Sequence, residues 1–228
     1  MLEEGSRQIV FAGEELVLLA ERAALWPARR ALMLSDVHFG KSATFRAHGI
    51  PVPEGECQAD LDRITHLVER HGIEHLVIVG DFFHSGIPLT DSLHAMLSTF
   101  RDTLRAEIIL VRGNHDPLHH HLLPMQDRLT WSPIEFVHDP ALAAADQPTI
   151  AGHLHPLCRI GTGGRNSRLP CFLLTDTRLV LPAFGTFTAG QIIKPTPGQT
   201  LYPIAKQTVF TAPVTNSYCS GITGQKAR

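Results

Sequence analysis

The sequence predicts an α/β fold in which two β-sheets pack face to face, and three observations support that prediction. Segments with strand and helix patterns alternate over residues 31–111, and short strand-like segments fill most of the remainder. Polar residues follow the apolar strands of the first half. A β–α–β–α–β order is typical of parallel strands joined by right-handed helical crossovers. The β-rich second half is then expected to form a second sheet that packs on the first.

The first half divides into a β-meander and a β–α–β–α–β unit. In residues 8–26, short apolar runs are separated by glycine and charged residues, which is the pattern of a meander. In the unit that follows, apolar residues recur at helical spacing before Gly72, and Thr90 is placed to cap a second helix. The predicted strands are 31–34, 75–79 and 108–111, and the predicted helices are 57–70 and the segment after Thr90.

The second half is predicted to contain short strands and no convincing helix. Its strands are expected at 134–137, 149–151, 171–175, 178–181 and 201–204. No linker rich in proline, glycine or serine divides the chain, so residues 1–213 are expected to form one domain. Residues 214–228 are polar and weakly patterned, and we expect a flexible tail there.

The composition of the chain excludes several classes of protein. Apolar residues make up 43% of the 228 residues and charged residues 18%, which is typical of a globular protein and not of a disordered or collagen-like one. No apolar run is long enough to span a bilayer, and no signal peptide is visible. Four cysteines lie far apart without a CxxC pair, so we expect a protein of the reducing cytoplasm. The net charge of −2 does not indicate a protein that coats nucleic acid.

Polar side chains that can bind metal ions follow five of the predicted strands. Because ligand sites of open α/β sheets lie at the carboxyl ends of the strands, we expect these side chains to meet at one edge. Taken singly, an aspartate after a strand is more often a cap or turn residue, and a lone histidine such as His138 is more often a surface or core side chain. Five such clusters in a consistent order are poorly explained in that way. The candidate ligands are Asp36, His38, Asp81, Asn114, His138, His153 and His155.

This set of candidate ligands is too large for one tetrahedral zinc ion. Shared between two ions bridged by Asp81, it gives about four protein ligands for each ion. Oxygen and imidazole ligands without a thiolate favour manganese, iron or zinc over calcium or copper(I). Two such ions about 4 Å apart can bind both oxygens of a phosphoryl centre and hold a hydroxide between them. His115 remains as a candidate proton donor, with Asp116 as the carboxylate that orients its imidazole.

A five-block pattern over residues 36–155 carries a family resemblance. The blocks DVH, GDFFH, GNHD, H and GHLH resemble the signature of the calcineurin-like metallophosphoesterases. The resemblance implies a four-layer α-β-β-α sandwich of two mixed sheets, a hydrolase acting on phosphoric esters, and a catalytic role for His115. It also implies the division of the ligands, one metal being held by Asp36, His38, Asp81 and His155 and the other by Asp81, Asn114, His138 and His153. His84 is a departure, because the broader family has an aspartate at that place.

A narrower resemblance covers roughly residues 15–205. The segments SDVHFGKSATFRAHGIPVPEG, GDFFHSG, VRGNHD, VHDP, GHLHP and LVLPAFGTFTAG are similar to those of the ligase-associated DNA-damage-response endonucleases, the PdeM group. This resemblance implies a phosphodiesterase or endonuclease that acts on DNA in repair, and a functional association with a DNA ligase and a helicase. Manganese is expected as the resident metal, with iron and zinc as the alternatives.

The basic residues leave the substrate open. Lys41 and Arg46 follow the first metal motif, and Arg165 and Arg168 follow the last, so these four are expected to contact the substrate. A near-neutral charge and few aromatic residues favour an alternative, a phosphoesterase of nucleotides or cyclic phosphodiesters. A third hypothesis, a non-catalytic scaffold of the same fold that binds proteins, is disfavoured by the complete ligand set and by His115.

Overall fold

The computed structural model describes residues 4–47, 49, 55–84, 90–118, 121–160, 167–186 and 188–212. These residues form two mixed β-sheets that pack on each other through a shared apolar core, together with three α-helices and two short 3₁₀ turns. The predicted α/β fold of two packed sheets is therefore confirmed. The tail expected at residues 214–228 lies outside the described residues.

The first sheet has seven strands that lie side by side in the order of the chain. They are β1 (Arg7–Phe11), β2 (Glu14–Leu18), β3 (Ala24–Trp26), β4 (Ala31–Leu34), β5 (His75–Val79), β6 (Glu107–Val111) and β7 (Met125–Gln126). β1 to β4 are antiparallel neighbours, which confirms the predicted meander, and β4 to β7 pair in parallel. Leu34 pairs with Ile78 and Val79 with Val111, so the carboxyl ends of β4, β5 and β6 lie level.

The second sheet has nine strands and contains both parallel and antiparallel pairs. They are β8 (Leu129–Trp131), β9 (Ile134–Phe136), β10 (Thr149–Ala151), β11 (Pro156–Ile160), β12 (Ser167–Leu174), β13 (Arg178–Val180), β14 (Gln191–Ile192), β15 (Thr200–Ala205) and β16 (Thr208–Val209). Their order is β14-β11-β12-β13-β10-β9-β8, with β15 paired to β12 and β16 to β15. β9, β10 and β13 pair in parallel, so this sheet also offers level carboxyl ends.

The central strands β4 and β5 of the first sheet are almost entirely apolar because both of their faces are covered. In β4, Leu32 and Leu34 belong to the core under the helices, whereas Ala31 and Met33 belong to the core between the two sheets. β5 repeats this alternation. Since successive side chains of a strand point to opposite faces, a strand between two layers has to be apolar at every position.

The helices α1 (Lys41–Ala47), α2 (Glu56–His71) and α3 (Asp91–Thr103) come between the strands of the first sheet. α2 ends at Gly72, whose left-handed φ of 58° lets its N–H bond the last carbonyls of the helix. α3 begins at Thr90, whose hydroxyl accepts the N–H of Leu93 at 3.4 Å, as predicted. In the described part of the chain, no helix is both long and apolar enough to cross a membrane.

The outer face of the second sheet is covered differently from the outer face of the first. Cys158, Cys171 and Leu173 form a small cluster there, and partly buried side chains that include Leu154 and Ile193 pack against it. Beyond β6, the described residues contain one 3₁₀ turn and no α-helix. Among these residues, no α-helix therefore covers the side on which the four-layer sandwich implies a helical layer.

Six short elements were not predicted from the sequence, namely α1, β7, β8, β11, β14 and β16. Four of them have only two or three residues, too few for an alternating pattern to be visible. β11 begins with Pro156, and proline does not indicate a strand. The five short strands form because neighbouring segments offer pairing partners, which cannot be read from the local sequence.

We expect Phe136→Ala to lower the free energy of unfolding by about 3–5 kcal/mol, because Phe136 is fully buried between the sheets. Its ring packs against Trp131 and Trp26 at centroid distances of 5.9 and 6.5 Å. Chemical denaturation followed by tryptophan fluorescence measures the loss. Val10→Ala, at a side chain that is 66% exposed, is the control and should change the value by less than about 0.5 kcal/mol. Equal unfolding midpoints for the two variants would contradict the assignment of this core.

Candidate metal centre

The candidate ligands lie at the edge where the two sheets present the carboxyl ends of their parallel strands. Asp36 and His38 follow β4, Asp81 follows β5, Asn114 follows β6, His138 follows β9, and His153 and His155 follow β10. The two sheets are joined at this edge by the backbone. The N–H of Phe184 donates to the carbonyl of Ser35 at 2.9 Å, and the N–H of Gly185 donates to that of Asp36 at 3.2 Å.

Six of these side chains form two compact groups, in each of which the ligand atoms lie within 4.8 Å of one another. The first group is Asp36, His38 and His155, and the second group is Asp81, His138 and His153. The two groups have a common border, because Oδ1 of Asp36 lies 3.0 Å from Nε2 of His155 and 4.0 Å from Nε2 of His138. The structure therefore contains two adjacent candidate metal-binding triads.

The first group presents nitrogen atoms to each other across a short gap. Nε2 of His38 lies 3.3 Å from Nε2 of His155. His155 donates its Nδ1–H to the carbonyl of Ala189 at 2.7 Å, which leaves the lone pair of its Nε2 directed at the gap. Nδ1 of His38 is buried without a hydrogen-bond partner among the described residues. Two imidazole nitrogens that face each other beside a buried carboxylate fit a shared cation.

The second group is built in the same way. His138 donates its Nδ1–H to the carbonyl of Val79 at 3.0 Å, so its Nε2 is the atom that faces the group. That nitrogen lies 3.2 Å from Oδ2 of Asp81 and 3.2 Å from Oδ1 of Asn114. The amide oxygen of Asn114 therefore joins the triad as a fourth possible ligand. Carboxylate, amide and imidazole donors without a thiolate suit Mn²⁺, Fe²⁺ or Zn²⁺.

The electrostatics of the two groups favour a bound cation. Burial acts to lower the pKa of His138, but its hydrogen bond to Asp81 and the charges of Asp36 and Asp81 raise it to about 9. Burial likewise acts to raise the pKa of Asp81, yet the contacts with His138 and His115 hold it below the ordinary value. The pKa of His38 falls to about 4, chiefly because burial disfavours the charged ring. The ionised carboxylate of Asp81 therefore keeps a proton on His138, in the place that a divalent cation would occupy instead.

Five of the seven candidate ligands have a left-handed backbone, which is uncommon for residues other than glycine. The φ angles are 55° at Asp36, 53° at His38, 49° at Asp81, 68° at His153 and 43° at His155. Such conformations cost about 1–3 kcal/mol each and persist where the surrounding structure fixes them. Backbone hydrogen bonds do so here, since the N–H groups of Asp36 and His38 donate to the carbonyls of Gly80 and Asp81, both at 3.0 Å.

The glycines beside the ligands matter for their lack of a side chain. Gly80 turns the backbone sharply, with a left-handed φ of 80°. Gly113 and Gly152 do not share that left-handed conformation. A Cβ at Gly113 would lie 2.2 Å from Oδ1 of Asp81, and one at Gly152 would lie 2.6 Å from Oδ2 of Asp36. These two glycines therefore make room for the carboxylates.

His115 lies beside the two groups without belonging to either. Its Nε2 is 4.0 Å from Oδ2 of Asp81, and its side chain is 38% exposed. Its backbone N–H donates to Oδ1 of Asp81 at 2.8 Å, which fixes the carboxylate. The ring packs edge-on against His38 at a centroid distance of 5.3 Å and nearly parallel to His84 at 6.0 Å.

Asp116 does not orient the imidazole of His115, contrary to the expectation from the sequence. Its Oδ1 accepts the N–H of Phe83 and its Oδ2 accepts the N–H of Gly113, both at 2.8 Å. Burial raises the pKa of Asp116 to about 6, and the two backbone N–H groups act against that rise. Asp116 therefore ties the loop after β5 to the loop after β6. The preference of carboxylates for nearby backbone N–H groups explains the difference.

The four expected substrate contacts are only partly described. Lys41 lies at the start of α1, half-buried, and burial lowers the pKa of its ammonium group. Arg168 lies on β12, exposed, beside a cavity of about 230 Å³ that His155 also lines. The backbone of Arg46 belongs to α1, whereas its side chain lies outside the described residues, as does the whole of Arg165. Lys41 and Arg168 thus lie on the side of the first group.

A second cavity was not anticipated from the sequence. It has a volume of about 380 Å³ and lies against the second group, since Asn114, His138 and His153 line it. Arg112 and Arg128 line it as well. Arg112 directly precedes the GNHD block, so its place near the site could have been predicted from the sequence. Nothing in the local sequence distinguishes Arg128.

The loop before β14 positions a ligand of the first group, His155. Ala189 supplies the carbonyl that fixes His155, and the same loop is held by two arginines from the first half of the chain. Arg22 donates to the carbonyl of Gly185 at 3.3 Å, and Arg63 donates to that of Phe184 at 3.3 Å. Positioning of the ligands therefore extends to side chains that never touch them.

Fold and site together define a phosphoesterase of the kind that carries two adjacent metal-binding groups. The sequence profile described as calcineurin-like phosphoesterase matches residues 29–172. The chain belongs to this family, and it is a hydrolase that acts on phosphoric esters.

Two solved structures are among those similar to the chain. The chain is similar to Pseudomonas putida nuclease MPE, with 33% sequence identity, a TM-score of 0.77, and coverage of 91% of this chain and 100% of that one. It also matches YfcE, a phosphoesterase from E. coli, with 15% identity, a TM-score of 0.42, and coverage of 81% and 99% of the two chains. No curated protein sequence matches the chain.

We expect Gly113→Ala to lose metal ions, because the added methyl group would displace the carboxylate of Asp81. Elemental analysis of protein purified without chelator should find about two transition-metal ions per wild-type chain and about half as many or fewer in the variant. Gly13→Ala is the control. It controls for backbone strain away from the site, because Gly13, unlike Gly113, has a left-handed φ of 82°, while a Cβ there would meet nothing within 4 Å. Equal metal contents in Gly113→Ala and wild type would contradict the assignment of Asp81.

Proposed function

We propose that this phosphoesterase is a two-metal nuclease that hydrolyses phosphodiester bonds of DNA, acting in the cytoplasm in repair alongside a DNA ligase and a helicase. The observation that carries the nuclease assignment is the likeness to the Pseudomonas putida nuclease over the whole of that chain. The repair context is supported by the similarity of the sequence to the ligase-associated endonucleases. Manganese is the proposed metal, because the donor set combines carboxylate and amide oxygens with imidazole.

We assign the proposed ligands to the two metal ions according to the two groups in which they lie. Asp36, His38 and His155 would hold one ion, and Asp81, Asn114, His138 and His153 would hold the other. We assign Asp81 to both ions, since its Oδ2 lies 3.2 Å from Nε2 of His138 in the second group and its charge also acts on His38 in the first. When bound, two such cations would stabilise the charge on the phosphoryl oxygens and lower the pKa of water.

The side chains around the groups supply the remaining chemistry. His115 lies next to Asp81 and is partly exposed, so it can deliver a proton to the leaving oxygen of the ester. Lys41 and Arg168 lie on the side of the first group, where they can bind phosphate oxygens of the substrate. A guanidinium group such as that of Arg168 can contact two oxygens of one phosphate. Asp116 holds the loop that carries His115.

A phosphoesterase of nucleotides or cyclic phosphodiesters is the alternative, and the net charge of −2 favours it. A scaffold that only binds proteins would have no need of two complete groups with left-handed ligand residues.

Cleavage of defined DNA decides between the first two hypotheses. Single-stranded and nicked oligonucleotides should be cut in the presence of Mn²⁺, and Arg168→Gln should raise KM for DNA several-fold. The slope of log KM against log salt should fall by about one unit, since one phosphate contact is lost. Arg101→Gln, on the exposed face of α3, should behave like wild type. Turnover of nucleotides alone, with no cleavage of DNA, would establish the small-molecule alternative instead.

His115→Asn tests the proton donor. We expect both metals to be retained and kcat on DNA to fall by about 10²–10⁴, the usual contribution of one acid–base group. The loss should be much smaller for bis-p-nitrophenyl phosphate, because p-nitrophenolate leaves without protonation. Loss of metal from the variant would show that His115 is a ligand, and equal losses on both substrates would point to stabilisation of the phosphate.

A further inference from the structure

The cavity of about 380 Å³ beside the second group has no part in the chemistry described above. One side of it is formed by the candidate ligands Asn114, His138 and His153. A molecule bound in the cavity would therefore lie next to the phosphate that reacts. Arg112, Arg128 and Leu142 also line it. Its volume falls in the range of about 300–1,000 Å³ that is typical of small-molecule sites.

The charges in this cavity are already balanced. Arg112 is ion-paired with Asp127, and Arg128 contacts both oxygens of Glu135 at 3.1 Å. Asp127 and Asp139 line the cavity together with the two arginines. A second phosphate would gain little binding energy in this cavity, since a carboxylate lies beside or opposite each of the two guanidinium groups. By contrast, no ion pair to Arg168 occurs among the described residues, and Arg168 lies at the other cavity.

The same contacts make the two guanidinium groups rigid. Arg112 also donates to the carbonyl of Leu118 at 3.2 Å, and Arg128 donates to that of Leu142 at 2.8 Å. A planar guanidinium group that is held in place is a good surface for stacking a nucleobase. Leu142 adds an apolar contact, since its side chain is 65% exposed although it is large and hydrophobic.

We propose that this cavity binds the nucleoside next to the scissile phosphate, its base packing on Leu142 and on the guanidinium groups of Arg112 and Arg128. The inference rests on the proposed function and refines it, because it identifies where a single-stranded nucleotide is recognised. The substrate strand would then extend across both metal-binding groups. One of its bases would lie in the cavity beside the second group, and a backbone phosphate would lie near Arg168, beside the first group.

Two p-nitrophenyl esters with the same leaving group test this site. One is the ester of thymidine phosphate, made in both its 3′ and 5′ forms, and the other is the ester of methyl phosphate, which lacks the nucleoside. With Mn²⁺, wild type should prefer one thymidine ester over the methyl ester by at least about tenfold in kcat/KM. Leu142→Asp should reduce that preference about tenfold, mainly through KM, and Arg128→Gln should reduce it as well.

The control is Val10→Asp, which introduces the same charge at an exposed apolar residue on β1, at the far edge of the first sheet. It should keep the wild-type preference. Metal content and unfolding midpoint of each variant show whether the site and the fold are intact. Equal hydrolysis of the thymidine and methyl esters by wild type, or an unchanged preference in Leu142→Asp, would overturn the nucleoside site and leave the nuclease proposal standing. Hydrolysis of none of the esters, together with no cleavage of DNA, would overturn both.

Discussion

The site depends above all on one buried carboxylate, that of Asp36, which is held between the two sheets. Its backbone N–H bonds the carbonyl of Gly80 in the first sheet, and its carboxylate accepts the N–H of His153 from the second. A buried charge of this kind is stable only with hydrogen bonds and an opposite charge beside it. The packing of the sheets and the binding of a cation are therefore coupled, because both satisfy the same carboxylate.

The left-handed backbone of the ligands follows from this arrangement. A strand that simply continued past Leu34 would carry Asp36 and His38 away from the second sheet, whereas the reversed φ angles turn both side chains into the gap. The strain is opposed by the core between the sheets, in which Met33 and Val79 lie immediately before the turns. Glycine at position 152 then lets the second sheet approach the carboxylate of Asp36. The core thus stabilises a geometry that the ligand residues would not adopt alone.

The elements that could be predicted from the sequence are those whose pattern lies entirely within one short segment of the chain. β4, β5 and β10 were predicted with their observed bounds, because each is a short, mainly apolar run of the kind expected for a strand covered on both faces. The ligands could be identified because five clusters of metal-binding residue types follow strands in a consistent order, which independent caps and turns explain poorly. The role of Asp116 could not, since it depends on the N–H of Phe83, a residue 33 positions away. The second cavity was also missed, because the contact of Arg128 with the carbonyl of Leu142 forms only in the folded chain.

The distribution of charge bears on the form of the proposed substrate. A chain with a net charge of −2 gains little from long-range attraction to a duplex, which relies on many neutralised phosphates. Recognition then has to be local, within reach of the two groups. On one side, Arg168 offers a positive charge, and on the other, Arg112 and Arg128 offer planar surfaces whose charges are balanced. A base can reach such a surface only when it is not stacked in a duplex. Under the proposed function, this arrangement favours a short single-stranded segment, or the end of a strand, over an intact double helix.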